Sequence, residues 1–312
     1  MSQRLSDFQN YFRCRLFLPL NCLFLPLLGL FWVYQLSDSQ RSQTSFDSPF
    51  FRSLADGHRQ WLAQFEPQHL ADWKKLFNGN PEAALCEAAT RERLQGHSVT
   101  VEPYDKPDPN SPGPDFRCSI RDRPFYVEVT CISIDSATKK TGIPEGGHNE
   151  LRPFKIFGMT QAIFQKCGPK TKQCEDLDAP VLVAIGTFHS DAALASLKPV
   201  LIGSVLTGKM NLSWTVDTTT GQQIGETQES TTLDSAAFLR LNDETDEVEP
   251  IRSPVSGVLL CGLTLSADFI GVLHPQPCRP FDPSWLPKIE FGSVEIDQPN
   301  RQLRVVWSNT NE

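Results

Sequence analysis

Hydrophobic and polar positions along the chain alternate between two periods. Residues 49–78 place aromatic and aliphatic side chains at helical spacing: Phe50, Phe51 and Leu54, then Trp61, Leu62 and Phe65, then Leu70, Trp73, Leu76 and Phe77. This predicts two or three short helices packed on a core. Asn80-Pro81 opens a clearer helix, because Asn is a good N-cap and Pro suits the first helical position. Ala84, Leu85, Ala88, Ala89 and Leu94 form its apolar face, and Gly96 marks its end. A short strand is expected over 98–101, then a proline-rich loop. Residues 115–120 and 125–132 alternate with period two, so they read as strands joined by a tight connection over 121–124. Residues 135–150 read as a polar loop. A helix is expected from about 152 to 167, stopped by Gly168-Pro169, followed by the buried strand PVLVAIG at 180–186. Further on, the pattern suggests a helix over 191–201, a hairpin with an exposed loop within 211–250, a buried strand over 255–265 and a closing hairpin over 292–307.

The hairpin carries the chemistry. A two-residue turn pairs position 120 with 123 and hence 115 with 128; a four-residue turn pairs 115 with 130. With either turn, Asp115 shares a sheet face with Glu128 and Thr130, since opposed residues point the same way. Two neighbouring carboxylates repel unless a cation sits between them, they share a proton, or solvent screens them. Mg²⁺ or Mn²⁺ suits such oxygen donors.

Composition bounds this reading. The 312 residues carry 29 Lys+Arg against 37 Asp+Glu, a formal net charge of -8. The acidity concentrates in the C-terminal half, densest at 243–249, which reads as a solvated loop. A polyanion site must therefore be a local basic patch in the first half; Arg117, Arg121 and Arg123 beside the acidic pair, and the lysines of 166–172, are candidates. Nine cysteines show no C-x-x-C spacing, which suits a reducing, cytoplasmic setting and gives no zinc site. The loop 142–148 has no phosphate-loop spacing, and His274 lies in a proline-rich structural loop.

Residues 16–36 (LFLPLNCLFLPLLGLFWVYQL) are uncharged and long enough to span a bilayer. Three readings stay open: a single-pass membrane segment, a true start farther along near Val33 or Leu36, or a signal peptide or buried helix. Residues 37–48 are a polar linker.

The order of these features, Glu87 on a helix, a short strand, Pro114-Asp115 opening a strand, a tight turn, Glu128-Val129-Thr130, then a helix ending near Lys166, Lys170, Lys172 and Gln173 and the strand 180–186, resembles the PD-(D/E)XK nuclease superfamily. The resemblance implies an α/β fold, with a central mixed β-sheet flanked by helices: a restriction-endonuclease-like core at 80–187, a helical lead-in at 49–79 and a C-terminal α+β extension at 188–312 that completes or covers the sheet. It implies metal ligation by Asp115, Glu128 and, as an accessory, Glu87, with Mg²⁺ or Mn²⁺ as cofactor. The implied activity is metal-dependent hydrolysis of DNA or RNA phosphodiesters; the alternative is an inactive nuclease fold that binds nucleic acid or a protein partner. Thr130 departs from the pattern, which has lysine there. Lys170 or Lys166 is preferred as the replacement, with Lys139 and Lys140 as further candidates.

Overall fold

The computed structural model describes residues 13–14, 46, 48–105, 113–146, 155, 157–264, 269–298 and 302–308. The hydrophobic segment 16–36 and nearly all of the linker lie outside them. No helix among the described residues is long and apolar enough to cross a membrane.

Three helices lead in. The first two, α1 (Pro49–Leu62) and α2 (Pro67–Gly79), each begin with proline, and Ser48 Oγ caps α1 by accepting from Phe51 N–H. Then α3 (Pro81–Gly96) starts as its sequence predicts, with Asn80 Oδ1 accepting from Ala83 N–H at 3.1 Å. Trp73 Nε1 donates to Ala84 O at 3.1 Å and ties α2 to α3.

The sheet is built from β1 (Arg13–Cys14), β2 (Thr100–Pro103), β3 (Phe116–Ile120), β4 (Arg123–Cys131), β5 (Val181–Thr187), β10 (Gly257–Gly262), β11 (Ile270–Leu273), β12 (Glu290–Asp297) and β13 (Gln302–Trp307), in the spatial order β1-β13-β12-β11-β10-β5-β4-β3-β2. Eight strands of four or more residues make a mixed sheet, with two-residue β1 added at one edge. The central strands β4, β5 and β10 run parallel, and hairpins flank them. Every residue of β5 and β10 is buried, as continuous apolar runs in the middle of a covered sheet should be. Two small hairpins are not hydrogen-bonded into it: β6 (Lys209–Val216) with β7 (Gln223–Thr232), and β8 (Leu239–Leu241) with β9 (Val248–Pro250). The acidic run begins in the turn between β8 and β9, where Asp243, Glu244 and Thr245 are exposed.

Two apolar layers sandwich the sheet. One joins α1, α2 and α3 to Phe116, Cys118, Phe125, Val127, Val129, Leu182 and Ala184. The other joins Tyr126, Val181, Val183 and Ile185 to α5 (Gly158–Thr171), α6 (Ser190–Ser196) and α7 (Pro199–Thr207). The alternation of β4 assigned from sequence thus sorts its side chains correctly between the layers.

Three expectations need correction, and one strand lies outside them. The segment expected to be a polar loop begins with a helix, α4 (Ile134–Thr141), capped by Ser133 Oγ on Ser136 N–H at 3.2 Å and ended by Gly142 at φ 78°. Its apolar contribution is small, with Ala137 and Thr141 its buried residues, so no stripe announces it. The helix expected to stop at Gly168-Pro169 runs through both to Thr171. A proline costs one internal hydrogen bond, and close to the end of a helix little more is lost. The expected helix over 191–201 is two helices, because Lys198, preceding Pro199, is extended (φ -127°, ψ 145°). Short β11, a four-residue strand, was not anticipated at all.

Candidate active site

The turn between β3 and β4 contains two residues, Arg121 (φ 49°) and Asp122 (φ 62°), and pairs Ile120 with Arg123. Left-handed φ at both positions is the geometry of a type I′ hairpin, here without glycine. The shorter of the two candidate turns is therefore present, and it brings Asp115 alongside Glu128.

Asp115 stands one residue before β3. Its N–H donates to Val127 O at 3.1 Å, and its Oδ2 accepts from Val129 N–H at 2.7 Å. Asp115 thus holds the backbone on either side of Glu128, Val127 through its own N–H and Val129 through its carboxylate. Glu128 points to the opposite sheet face from Val127 and Val129, and only 3% of its side chain is exposed.

Lys170, near the C-terminus of α5, forms an ion pair with Glu128: Nζ donates to Oε1. Burial alone would lower the lysine's pKa. Attraction from Glu128, the hydrogen bond to it, and the more distant Asp115 and Glu87 outweigh burial and raise it. Lys170 is therefore an ammonium at neutral pH. Of the lysines expected from the sequence to approach the acidic pair, Lys170 is the one in contact with it. Lys166 acts instead on Glu82, whose Oε1 accepts from Ile134 N–H at 2.7 Å. Lys139 pairs with Asp135 at the surface, at 2.6 Å. Thr130 follows Glu128 on β4 and is half-buried; its carbonyl receives the Cys86 thiol at 3.6 Å.

Glu87, on α3, is electrostatically part of the same group. Its pKa lies well above the ordinary carboxylate value, first because burial penalises its charge, then through Asp115, Cys86 and Glu128, with Lys170 opposing. Its carboxyl therefore holds a proton more tightly than a solvated one would. Beside it α3 comes close to β5: a Cβ on Gly186 would meet Leu263 Cδ1 at 2.7 Å and Cys86 Sγ at 2.9 Å.

Cys174 was not singled out from sequence. It is buried, its thiol donates to Lys170 O at 3.1 Å, and its pKa is pushed up to about 12, by burial first and then by Glu128. Helical spacing four residues after Lys170 was the available signal.

The arginines divide. Arg117 lies on the Asp115 face of β3, opposite Tyr126. Arg121 and Arg123 lie at the far end of the hairpin, where Arg123 stacks over Trp285 at 5.5 Å and approaches Asp282 at 3.7 Å, so these two do not flank the pair as expected. His274 is structural: Nε2 contacts Ile251 O at 2.7 Å and Nδ1 accepts from Gln276 N–H. Cys86, Cys118, Cys131, Cys167, Cys174, Cys261 and Cys278 are free thiols.

The donors are all carboxylate oxygens, the chemistry a hard divalent cation prefers. Among the described residues, no group of three or more His, Cys, Asp or Glu side chains is gathered closely enough to hold an ion. Two carboxylates completed by waters are the arrangement that fits, since Mg²⁺ commonly takes one or two. The sequence matches no family model, and neither a curated protein nor a solved structure matches it.

Proposed function

We propose that this protein is a metal-dependent nuclease of restriction-endonuclease-like design, in which Asp115 and Glu128 hold Mg²⁺ or Mn²⁺ and Lys170 takes the part of the lysine that Thr130 replaces. The observation carrying this reading is the contact between Lys170 and Glu128, an ammonium delivered to the acidic pair from a helix rather than from the strand itself.

When bound, the cation would supply Lewis-acid stabilisation of charge on the phosphoryl group. The chain's own residues would do the rest. Lys170, kept protonated by its carboxylate neighbours, is a donor rather than a base; it would orient the attacking water and offset charge growing on phosphate oxygens. Glu128 would share its oxygens between Lys170 and the cation. Asp115, already anchored by Val129 N–H, would present a fixed carboxylate edge. Glu87 would enter as an accessory ligand or orienting group on losing its proton.

A second reading has its own support. Lys170 already compensates Glu128 without a cation, and three carboxylates do not converge. An inactive nuclease fold that binds nucleic acid or a protein partner would look the same. Calorimetry with Mg²⁺ and Mn²⁺ on the full chain, beside Asp115→Asn, separates the two. The nuclease reading expects heat from the parent protein and its loss in the variant; no heat in either removes it. Cleavage of DNA and RNA should then disappear in Glu128→Ala, and activity surviving that change would mean the chemistry lies elsewhere.

A further inference from the structure

The sheet face that bears Asp115 and Glu128 continues toward an edge. Glu102, Arg117 and Tyr126 stand opposite one another across β2, β3 and β4. Tyr104, just past β2, donates its backbone N–H to Asp115 O at 3.1 Å. Tyr104 and Asp115 thus form the adjoining row with Glu128. No strand lies beyond β2 among the described residues. While α5 packs over β5 on this face, Glu102 and Arg117 are exposed.

Within this edge the two tyrosines meet edge to face, with ring centroids 5.5 Å apart and planes at 85°. Tyr126 is held from below: its hydroxyl donates to Asp178 Oδ1 at 2.8 Å, and 9% of the residue is exposed. Tyr104, half-buried against it, is the outer ring. Arg117 lies two residues from Asp115 on one strand face, about 7 Å along the chain.

We propose that this edge is a track for a single-stranded polynucleotide, with a base stacked on Tyr104 and the neighbouring phosphate on Arg117; it rests on the nuclease reading above and names the substrate class. Two features select a single strand. An aromatic ring stacks most readily on the open face of an unpaired base, and such stacking tolerates any sequence. A duplex needs a broad basic surface, whereas Arg117 has Glu102 opposite it and Asp115 two residues before it, in a protein of formal net charge -8. Tyr126 is a positioning residue: pinned by Asp178, it fixes the tilt of Tyr104.

The test is fluorescence anisotropy on the full chain without divalent metal, using short labelled single-stranded DNA, single-stranded RNA and the matching DNA duplex over a range of salt. The expected result is tighter binding of a single strand than of the duplex. Tyr104→Leu, which keeps apolar bulk but removes the ring, should weaken it roughly tenfold or more without altering the salt dependence. Tyr104→Phe should bind like the parent, and Arg117→Ala should reduce the log–log salt slope by about 0.7. Thermal unfolding of each variant confirms its fold. Equal or tighter duplex binding overturns the proposal, as does unchanged affinity in Tyr104→Leu. The two readings fail separately: metal heat without single-strand binding removes the track alone, whereas single-strand binding without metal heat removes the nuclease.

Discussion

Lys170 Nζ lies against Glu128 Oε1 although the two residues are 42 apart in sequence. The pair is asymmetric: 3% of the glutamate side chain is exposed against 23% of the lysine's. Whatever removes the lysine leaves a carboxylate in a nearly dry setting.

Lys170→Met should therefore destabilise the fold by about 3 kcal/mol, near the lower end for a broken buried pair because the lysine keeps some solvent. The double variant Lys170→Met with Glu128→Gln should recover most of that loss. Denaturant midpoints of the four proteins measure the coupling. A single-variant cost below about 1 kcal/mol would show that the pair is not truly buried.

Asp115 offers a cleaner separation of structure from chemistry. Asp115→Asn keeps a side-chain oxygen for Val129 N–H, so its stability should stay within about 0.5 kcal/mol of the parent. Asp115→Ala leaves that donor unsatisfied and should cost about 1–3 kcal/mol. Equal stabilities in the two variants would contradict the bond as described.

Glu87 predicts a loss of stability toward alkaline pH. Its folded pKa is raised, so the folded state retains a proton that the unfolded state has released. Stability is fully present below the unfolded value near 4.5 and declines as pH rises through the folded value. Glu87→Gln should match the parent at pH 4 and exceed it at pH 8 in metal-free buffer. Thermal scans at both pH values test this, and a variant weaker at pH 8 would refute it.

His58 predicts the opposite limb. It is 1% exposed, its Nδ1 accepts from Arg91 Nε at 3.1 Å, and its pKa is lowered to about 3, by burial and then by Arg91. The unfolded histidine takes up a proton near pH 6.5 while the folded one does not. Stability should fall as pH drops from about 6.5 toward 3, by roughly 3–5 kcal/mol in all. His58→Gln should flatten that part of the profile. An unchanged acid limb would assign it to the carboxylates instead.

The lysine's route can be tested directly under the nuclease reading. Lys170→Ala should abolish cleavage, and Thr130→Lys in that background should restore part of it, since position 130 lies on the strand and face of Glu128. Cleavage retained by Lys170→Ala alone would remove that residue from the mechanism.

Much of this arrangement is legible in the amino acids. Alternation in 125–132 separates Glu128 from Val127 and Val129, and the apolar run at 180–186 reads as a central strand, because each pattern repeats over enough residues to be unambiguous. What escapes is short or local. Helix α4 buries too little to form a stripe. Helix α5 continues past a proline because a near-terminal hydrogen bond is inexpensive to lose. The selection of Lys170 over Lys166 follows from that continuation. With the helix extending to Thr171, residues 166 and 170 lie one turn apart and serve different carboxylates, Glu82 and Glu128. The choice of turn at Arg121-Asp122 was open too, since neither residue is a glycine that would advertise positive φ.

Gly186 works as a spacer gauge between strand and helix. The thiol beside it belongs to Cys86, the immediate neighbour of Glu87 in sequence, so the absence of a single carbon on β5 leaves the room that this part of α3 occupies. Gly186→Ala would move no charged group by itself, yet the clearance it removes can be regained only by shifting Leu263 and the cysteine. The close seating of that helix on the central strand thus depends on a residue that has no side chain.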